Sequence, residues 1–94
     1  MPEVHLSGHL VCSDARQAAL VEQHLPEHVA LTRAEPGCLY FTVEPTDHPL
    51  IWRVHERFAS TAAFDDHQRR TARSAWARAT AGIERRYTID AVNP

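Results

Sequence analysis

The sequence predicts a single α+β domain in which strands and helices follow one another in the order βαββαβ. Two patterns lead to this prediction. Four short stretches alternate apolar and polar residues, as half-buried strands do, and two longer regions are rich in helix-forming residues. A chain of 94 residues has room for one compact core, so we expect residues 1–94 to form one domain.

The first strand and the first helix lie in the N-terminal third of the chain. Apolar side chains fall on alternate positions from Val4 to Cys12, which predicts a strand. Ser13-Asp14 is an N-cap signal for a helix from Ala15 to about Ala34, and Pro26 is expected to kink or restart this helix. The predicted buried stripe of the helix is Ala18, Val21, Leu25 and Val29.

A β-hairpin and a second helical region complete the chain. The stretches Cys38–Glu44 and Leu50–Phe58 both alternate, and the loop P-T-D-H-P joins them. Ser60 predicts the start of a helical region that continues, with a break, to Gly82. The last strand is predicted at Glu84–Val92.

This order of elements is that of the ferredoxin-like arrangement, a four-stranded antiparallel sheet with strand order 4-1-3-2 and both helices on one face. The other face is uncovered, and its simplest partner is a second copy of the chain, so we expect a homodimer through the open sheet face. Dimerisation is expected to be sensitive to pH at about pH 6, because histidines lie on this face. The side chains predicted to cluster there are His5, His9, Arg53, His55 and Arg57.

Composition excludes several classes of protein. A net charge of −2 does not describe a nucleic-acid binder, and no apolar run is long enough to span a membrane. The N-terminal residues lack the basic and apolar segments of a signal peptide, so we expect a cytoplasmic protein. Cys12 and Cys38 are too few for a disulfide scaffold and are expected to pack in the fold.

His24 and His28 are spaced four residues apart on the first predicted helix, which is the geometry of a two-ligand metal site. The sequence offers no third ligand beside them. We therefore expect both side chains on a solvated helix face, and we expect no metal site.

Three motifs together resemble a known family. They are R-A-E-P-G-C-L at residues 33–39, H-E-R-F-A-S at residues 55–60 and A-A-F-D-D-H at residues 62–67. In order and spacing they resemble the antibiotic biosynthesis monooxygenase (ABM) family, small ferredoxin-like proteins that form dimeric α/β barrels. The resemblance covers nearly the whole chain and is specific for the fold, although a fold alone does not fix a reaction.

Within that family the chain most resembles the quinol-monooxygenase-like subset. Anthrone-oxidising members use an Asn, a Trp and a Tyr, and the matching positions here are Val54, Phe58 and Phe64. Haem-degrading members need a late histidine in the second helix, where this chain has Ala77. The quinol-type members keep a glutamate and a histidine that match Glu56 and His67, so the resemblance implies these two as catalytic residues and implies no cofactor.

The pattern of the sequence also singles out Glu56 and His67. Alternation places Glu56 on the apolar face of the third strand, where a carboxylate is costly unless it is hydrogen-bonded or shifted in pKa. His67 follows Phe64 by three residues and shares its side of the helix, where a neutral imidazole could accept a proton. Both have a structural alternative: Glu56 fixes the helix on the sheet, and His67 bonds to Glu56 or to a backbone carbonyl.

A substrate pocket is expected between the helices and the sheet. Leu39 and Tyr87 are expected in the core beside it. The predicted pocket residues are Phe41, Trp52, Val54, Phe58, Phe64 and Trp76.

The leading hypothesis is a cofactor-independent monooxygenase that oxidises a small aromatic, phenolic or quinol-like molecule with O₂. One alternative is a ligand-binding or regulatory dimer of the same fold without catalytic activity. Another is an isomerase or cyclase of polyketide-type rings. The sequence does not name the substrate.

Overall fold

A computed structural model describes residues 2–93 and confirms the predicted order of strands and helices. The second helical region consists of two helices, as the expected break implies. The elements are β1 (Glu3–Val11), α1 (Ala15–Arg33), β2 (Cys38–Pro45), β3 (Ile51–Phe58), α2 (Thr61–Ala72), α3 (Ala75–Ala79) and β4 (Glu84–Val92).

The four strands form one antiparallel sheet in the order β2-β3-β1-β4, which is the predicted topology. β1 lies in the centre, with Leu6 opposite Glu56 of β3 and opposite Ile89 of β4. Alternate residues of β1 and β3 enter the core against the helices, because successive strand residues point to opposite faces. The core includes Leu10, Val21, Phe58, Trp76 and Ile83, among others.

Each helix begins at a side chain that caps its first turn. The side chains of Asp14, Ser60 and Ser74 accept hydrogen bonds from the backbone amides three residues later, which stabilises the starts of α1, α2 and α3. α1 continues through Pro26 as one helix, so it does not restart there, and the alternative of a kink at Pro26 stays a prediction. Pro26 is exposed, and its ring removes only one hydrogen bond of a nineteen-residue helix.

A bulge at the start of β2 changes which side chains enter the core. The pairing of β2 with β3 shifts register between Cys38 and Tyr40. Cys38 packs against the core, whereas Leu39 and Tyr40 both point outward. The prediction that Leu39 lies in the core is therefore wrong: 49% of its surface is exposed.

Gly8 lies in the middle of β1 with a φ of +151°, a conformation that favours glycine. A Cβ atom at this position would fall on the backbone carbonyl of Arg86 in β4. The central pairing of β1 with β4 therefore depends on the absence of a side chain here.

No helix within residues 2–93 is both long enough and apolar enough to cross a lipid bilayer.

Candidate active site

A cavity of about 310 Å³ lies between the sheet and the helices. All four strands and all three helices contribute lining residues. Most of the lining side chains are apolar, and a few polar groups converge among them, as in ligand-binding pockets generally. The lining residues include His28, Phe41, Val54, Glu56, His67, Thr71, Trp76, Arg85 and Tyr87.

The structure brings three of the six predicted pocket residues to this cavity: Phe41, Val54 and Trp76. The other three lie elsewhere, which corrects the prediction. Phe58 and Phe64 pack edge-to-face at 5.6 Å between ring centroids inside the core. Trp52 lies at the other end of β3, opposite Leu10 and Pro45, and packs against the core there. Alternation identified the correct face of β3 but not how far along the strand the cavity extends.

His67 is the histidine at the centre of this site. Its side chain is almost completely buried, and its Nδ1 atom lies 2.7 Å from Glu35 Oε1. Its Nε2 atom lies 3.8 Å from Glu56 Oε1 and 3.4 Å from the Thr71 hydroxyl oxygen, both on cavity-lining residues. Burial lowers the pKa of His67, and the hydrogen bond to Glu35 opposes this shift. The imidazole therefore has one nitrogen held by a carboxylate and the other directed toward the cavity.

Glu56 is the second predicted catalytic residue, and it too is buried at the cavity. Its Oε1 atom is buried without a hydrogen-bond partner among residues 2–93, since His67 Nε2 is too distant for a hydrogen bond. Burial raises the pKa of Glu56 to about 7, and the nearby Glu35 carboxylate adds to the rise. The acid form of this carboxyl group therefore persists to a much higher pH than it does in an exposed glutamate.

Glu35 supports His67, and sequence reasoning did not identify it as a functional residue. Its second carboxylate oxygen accepts a hydrogen bond of 2.9 Å from Arg70 Nε, and Arg70 also donates to the Thr32 hydroxyl at 3.0 Å. Glu35 is thus fixed from two sides. Glu35 belongs to the motif R-A-E-P-G-C-L, but no local pattern shows that its carboxylate reaches His67.

His28 corrects the prediction of a solvated helix face. It is only 5% exposed, and its ring stacks in parallel on Trp76 at 4.6 Å and meets Phe41 edge-on at 5.3 Å. Burial lowers the pKa of His28 to about 3, with smaller contributions from His67 and two arginines. A neutral imidazole therefore forms part of the aromatic wall of the cavity. His24 is half-buried, and residues 2–93 contain no group of three or more His, Cys, Asp or Glu that could hold a metal ion.

The other predicted histidine cluster lies on the opposite face of the sheet. His5 pairs with Arg57 and His9 pairs with Arg53 across β1 and β3. His55 is exposed, and the centroid of its ring lies 4.9 Å from that of the Tyr40 ring. Glu3 partly balances the charge, since its carboxylate accepts hydrogen bonds from Arg57 and lies 3.0 Å from His5. This cluster is separate from the cavity, as alternation along the strands predicts.

The fold and the site define a ferredoxin-like α+β protein with a buried glutamate and histidine at an aromatic cavity. The profile of the antibiotic biosynthesis monooxygenase family matches residues 12–79, so the chain belongs to this family. This confirms the resemblance at the level of the family. No curated protein matches the chain.

Solved structures of other proteins share the fold. SnoaB, a cofactor-independent oxygenase from Streptomyces nogalater, is 14% identical with a TM-score of 0.80, over 100% of this chain and 96% of SnoaB. PA3566 from Pseudomonas aeruginosa is 24% identical with a TM-score of 0.71, over 100% of this chain and 95% of PA3566. Rv0793 from Mycobacterium tuberculosis is 17% identical with a TM-score of 0.76, over 98% of this chain and 96% of Rv0793. At these identities the likeness concerns the fold alone.

Proposed function

We propose that the protein is a monooxygenase that binds a small phenolic or quinol-like aromatic molecule in the cavity and oxidises it with O₂ without a cofactor. Family membership supports the class of reaction. The observation that carries the proposal is the position of His67, whose ring is held by Glu35 on one side and faces the cavity on the other.

His67 is the proposed general base. The Glu35 carboxylate accepts a hydrogen bond, so the neutral imidazole carries its proton on Nδ1 and leaves a lone pair on Nε2. Nε2 can therefore accept the hydroxyl proton of a substrate, and Glu35 stabilises the imidazolium that forms. Such a positioned base typically accelerates a reaction by about 10²- to 10⁴-fold.

Glu56 is the proposed hydrogen-bond donor to the substrate. Its raised pKa keeps a carboxylic acid beside His67 up to neutral pH, and a protonated carboxyl group can donate to the phenolate oxygen that forms. Proton removal by His67 and stabilisation of the anion by Glu56 then act on the same substrate oxygen.

The electron-rich anion is the species that reacts with O₂. It transfers one electron to O₂, the two resulting radicals combine, and a peroxide forms at a ring carbon that still bears a hydrogen. Loss of water from this peroxide leaves a carbonyl group. One oxygen atom enters the product, the other leaves as water, and the substrate supplies both hydrogens and all the electrons.

The cavity limits the size of the substrate. A dry apolar cavity of about 150 Å³ holds benzene, and the cavity here is about twice as large at about 310 Å³. Two fused aromatic rings, as in a naphthol or a naphthohydroquinone, suit this volume. The quinol-type substrate class therefore agrees with the space available.

Oxygen uptake with a panel of naphthols and hydroquinones tests the proposed function. We expect ¹⁸O₂ to place one labelled atom in a carbonyl product, and we expect His67→Ala to lower kcat/KM by about 10²-fold or more because the base is lost. His24→Ala is the matched control, since His24 lies on α1 outside the cavity lining.

Three outcomes would contradict this proposal. Equal rates for the wild type and His67→Ala would refute the base assignment. Binding without oxygen uptake across the panel would favour a ligand-binding dimer, and ring rearrangement without uptake would favour an isomerase or cyclase.

A further inference from the structure

Arg85 places a positive charge at the cavity that the proposed reaction does not use. β4 alternates, so that Arg85 and Tyr87 line the cavity whereas Arg86 lies at the opposite face of the sheet. The chain contains no lysine, and Arg85 is the one arginine among the described residues that line the cavity.

The guanidinium of Arg85 is fixed by neutral acceptors only. Its Nη1 atom donates to the backbone carbonyls of Thr80 at 2.7 Å and Ile83 at 2.9 Å, and its Nη2 atom donates to the Thr80 hydroxyl at 2.8 Å. Three of its five N–H groups are used in these bonds, and Arg85 also makes a side-chain hydrogen bond with the Tyr87 hydroxyl. None of the ion pairs among residues 2–93 includes Arg85. Arg85 is an exposed residue, so these bonds rather than burial hold its side chain in place, and its charge lacks a carboxylate partner within residues 2–93.

Arg85 and the acid–base pair lie toward opposite ends of the cavity. Glu56 is opposite Leu6 of β1, whereas Arg85 is opposite Leu10. Four residues of a strand span roughly 13 Å at about 3.3 Å each. A ligand whose hydroxyl group meets His67 would therefore direct its far end toward Arg85.

We infer that the cavity takes an aromatic hydroxy acid, with a carboxylate at the end remote from the reacting hydroxyl group, and that Arg85 binds this carboxylate. A pre-positioned guanidinium suits a carboxylate because a charge-assisted hydrogen bond is stronger than the neutral ones that it makes now. The inference rests on the proposed function for the identity of the reacting end.

Binding without turnover tests this inference. Under anaerobic conditions, calorimetry would compare 6-hydroxy-2-naphthoate with 2-naphthol, which lacks the carboxylate. We expect the wild type to bind the hydroxy acid roughly tenfold more tightly, the size of one partly screened charge-assisted hydrogen bond. 3-Hydroxy-2-naphthoate has its carboxylate beside the hydroxyl group, and we expect it to bind no more tightly than 2-naphthol.

Arg85→Gln is expected to remove the tenfold preference for 6-hydroxy-2-naphthoate, so that this variant binds the hydroxy acid and 2-naphthol about equally. Arg78→Gln is the matched control, because Arg78 also donates to a backbone carbonyl but does not line the cavity. If Arg85→Gln folds poorly, Arg85→Lys keeps the charge, and its preference should survive in part and fall as salt is added.

The inference is overturned if the wild type prefers 2-naphthol or binds the two molecules equally, or if Arg85→Gln keeps the preference. A preference that depends on Arg85 without any oxygen uptake would uphold this inference and refute the monooxygenase. Oxygen uptake with 2-naphthol and no preference for the acid would support the monooxygenase and refute this inference.

Discussion

At the scale of single residues, the buried carboxyl group of Glu56 determines how activity should depend on pH. The Glu56 pKa is raised to about 7, so the donating acid form is lost as pH rises through about 7, and activity should fall there. The His67 pKa is lowered, so the base form persists below the usual histidine range, and activity should decline only in more acidic solution. We expect a bell-shaped profile of kcat/KM.

Glu56→Gln tests this dependence, because an amide donates a hydrogen bond but does not titrate. The variant is expected to keep part of the activity and to lose the alkaline decline. Glu27→Gln, an exposed change on α1, serves as the control and should keep the bell shape. A wild-type rate that continues to rise to pH 8 would mean that Glu56 acts as a carboxylate base instead.

The residues of the site differ in how far the sequence could predict them. Glu56 and His67 were predictable, because the periods of a strand and a helix fix which side chains face the core. The sequence predicts Val29 rather than His28 in the buried stripe of α1, because valine is the more hydrophobic residue. In the structure the stripe is Ala18, Val21, Leu25, His28 and Thr32, which keeps the helical period and includes two buried polar residues. The contact of Glu35 with His67 joins residues 32 positions apart, which no local pattern reports.

At the scale of elements, the pairing of β1 with β4 depends on Gly8. Gly8→Ala would strain the backbone and press a methyl group on the Arg86 carbonyl, and we expect a loss of about 3 kcal/mol in the free energy of unfolding. Denaturation by urea measures this loss. Gly82→Ala is the control, because its Cβ would meet nothing closer than the Gln17 amide nitrogen at 3.7 Å.

A Gly8→Ala variant as stable as Gly82→Ala would show that β4 can shift without cost.

The helix caps and the hairpin were predictable from local sequence, because capping and turn formation involve neighbouring residues. The bulge at Leu39 was not, since the register of β2 is set by its pairing with β3.

At the scale of the whole molecule, we predict a homodimer through the open sheet face. His9, Arg53 and His55 lie on this face, and so do the carboxylates of Glu3, Glu44, Glu84 and Asp90. Residues of both charge signs on one face allow it to pair with a second copy of itself. We expect analytical ultracentrifugation to show a dimer that dissociates on dilution.

Arg53→Glu, a charge reversal on this face, should raise the dimer dissociation constant about tenfold, and Arg78→Glu on α3 should not, because α3 lies on the helical side of the sheet. A monomer at every concentration would refute the dimer.

The central position of β1 also has a consequence for the order in which the protein can fold during synthesis. β1 is made before the other three strands, but one of its neighbours, β4, is made after them, and Glu3 pairs with Val92. Until residues 84–92 have emerged, one edge of β1 has unpaired amides and carbonyls that another chain could join. A nascent or truncated chain without β4 is therefore the form most exposed to aggregation, and it also lacks the strand that brings Arg85 to the cavity.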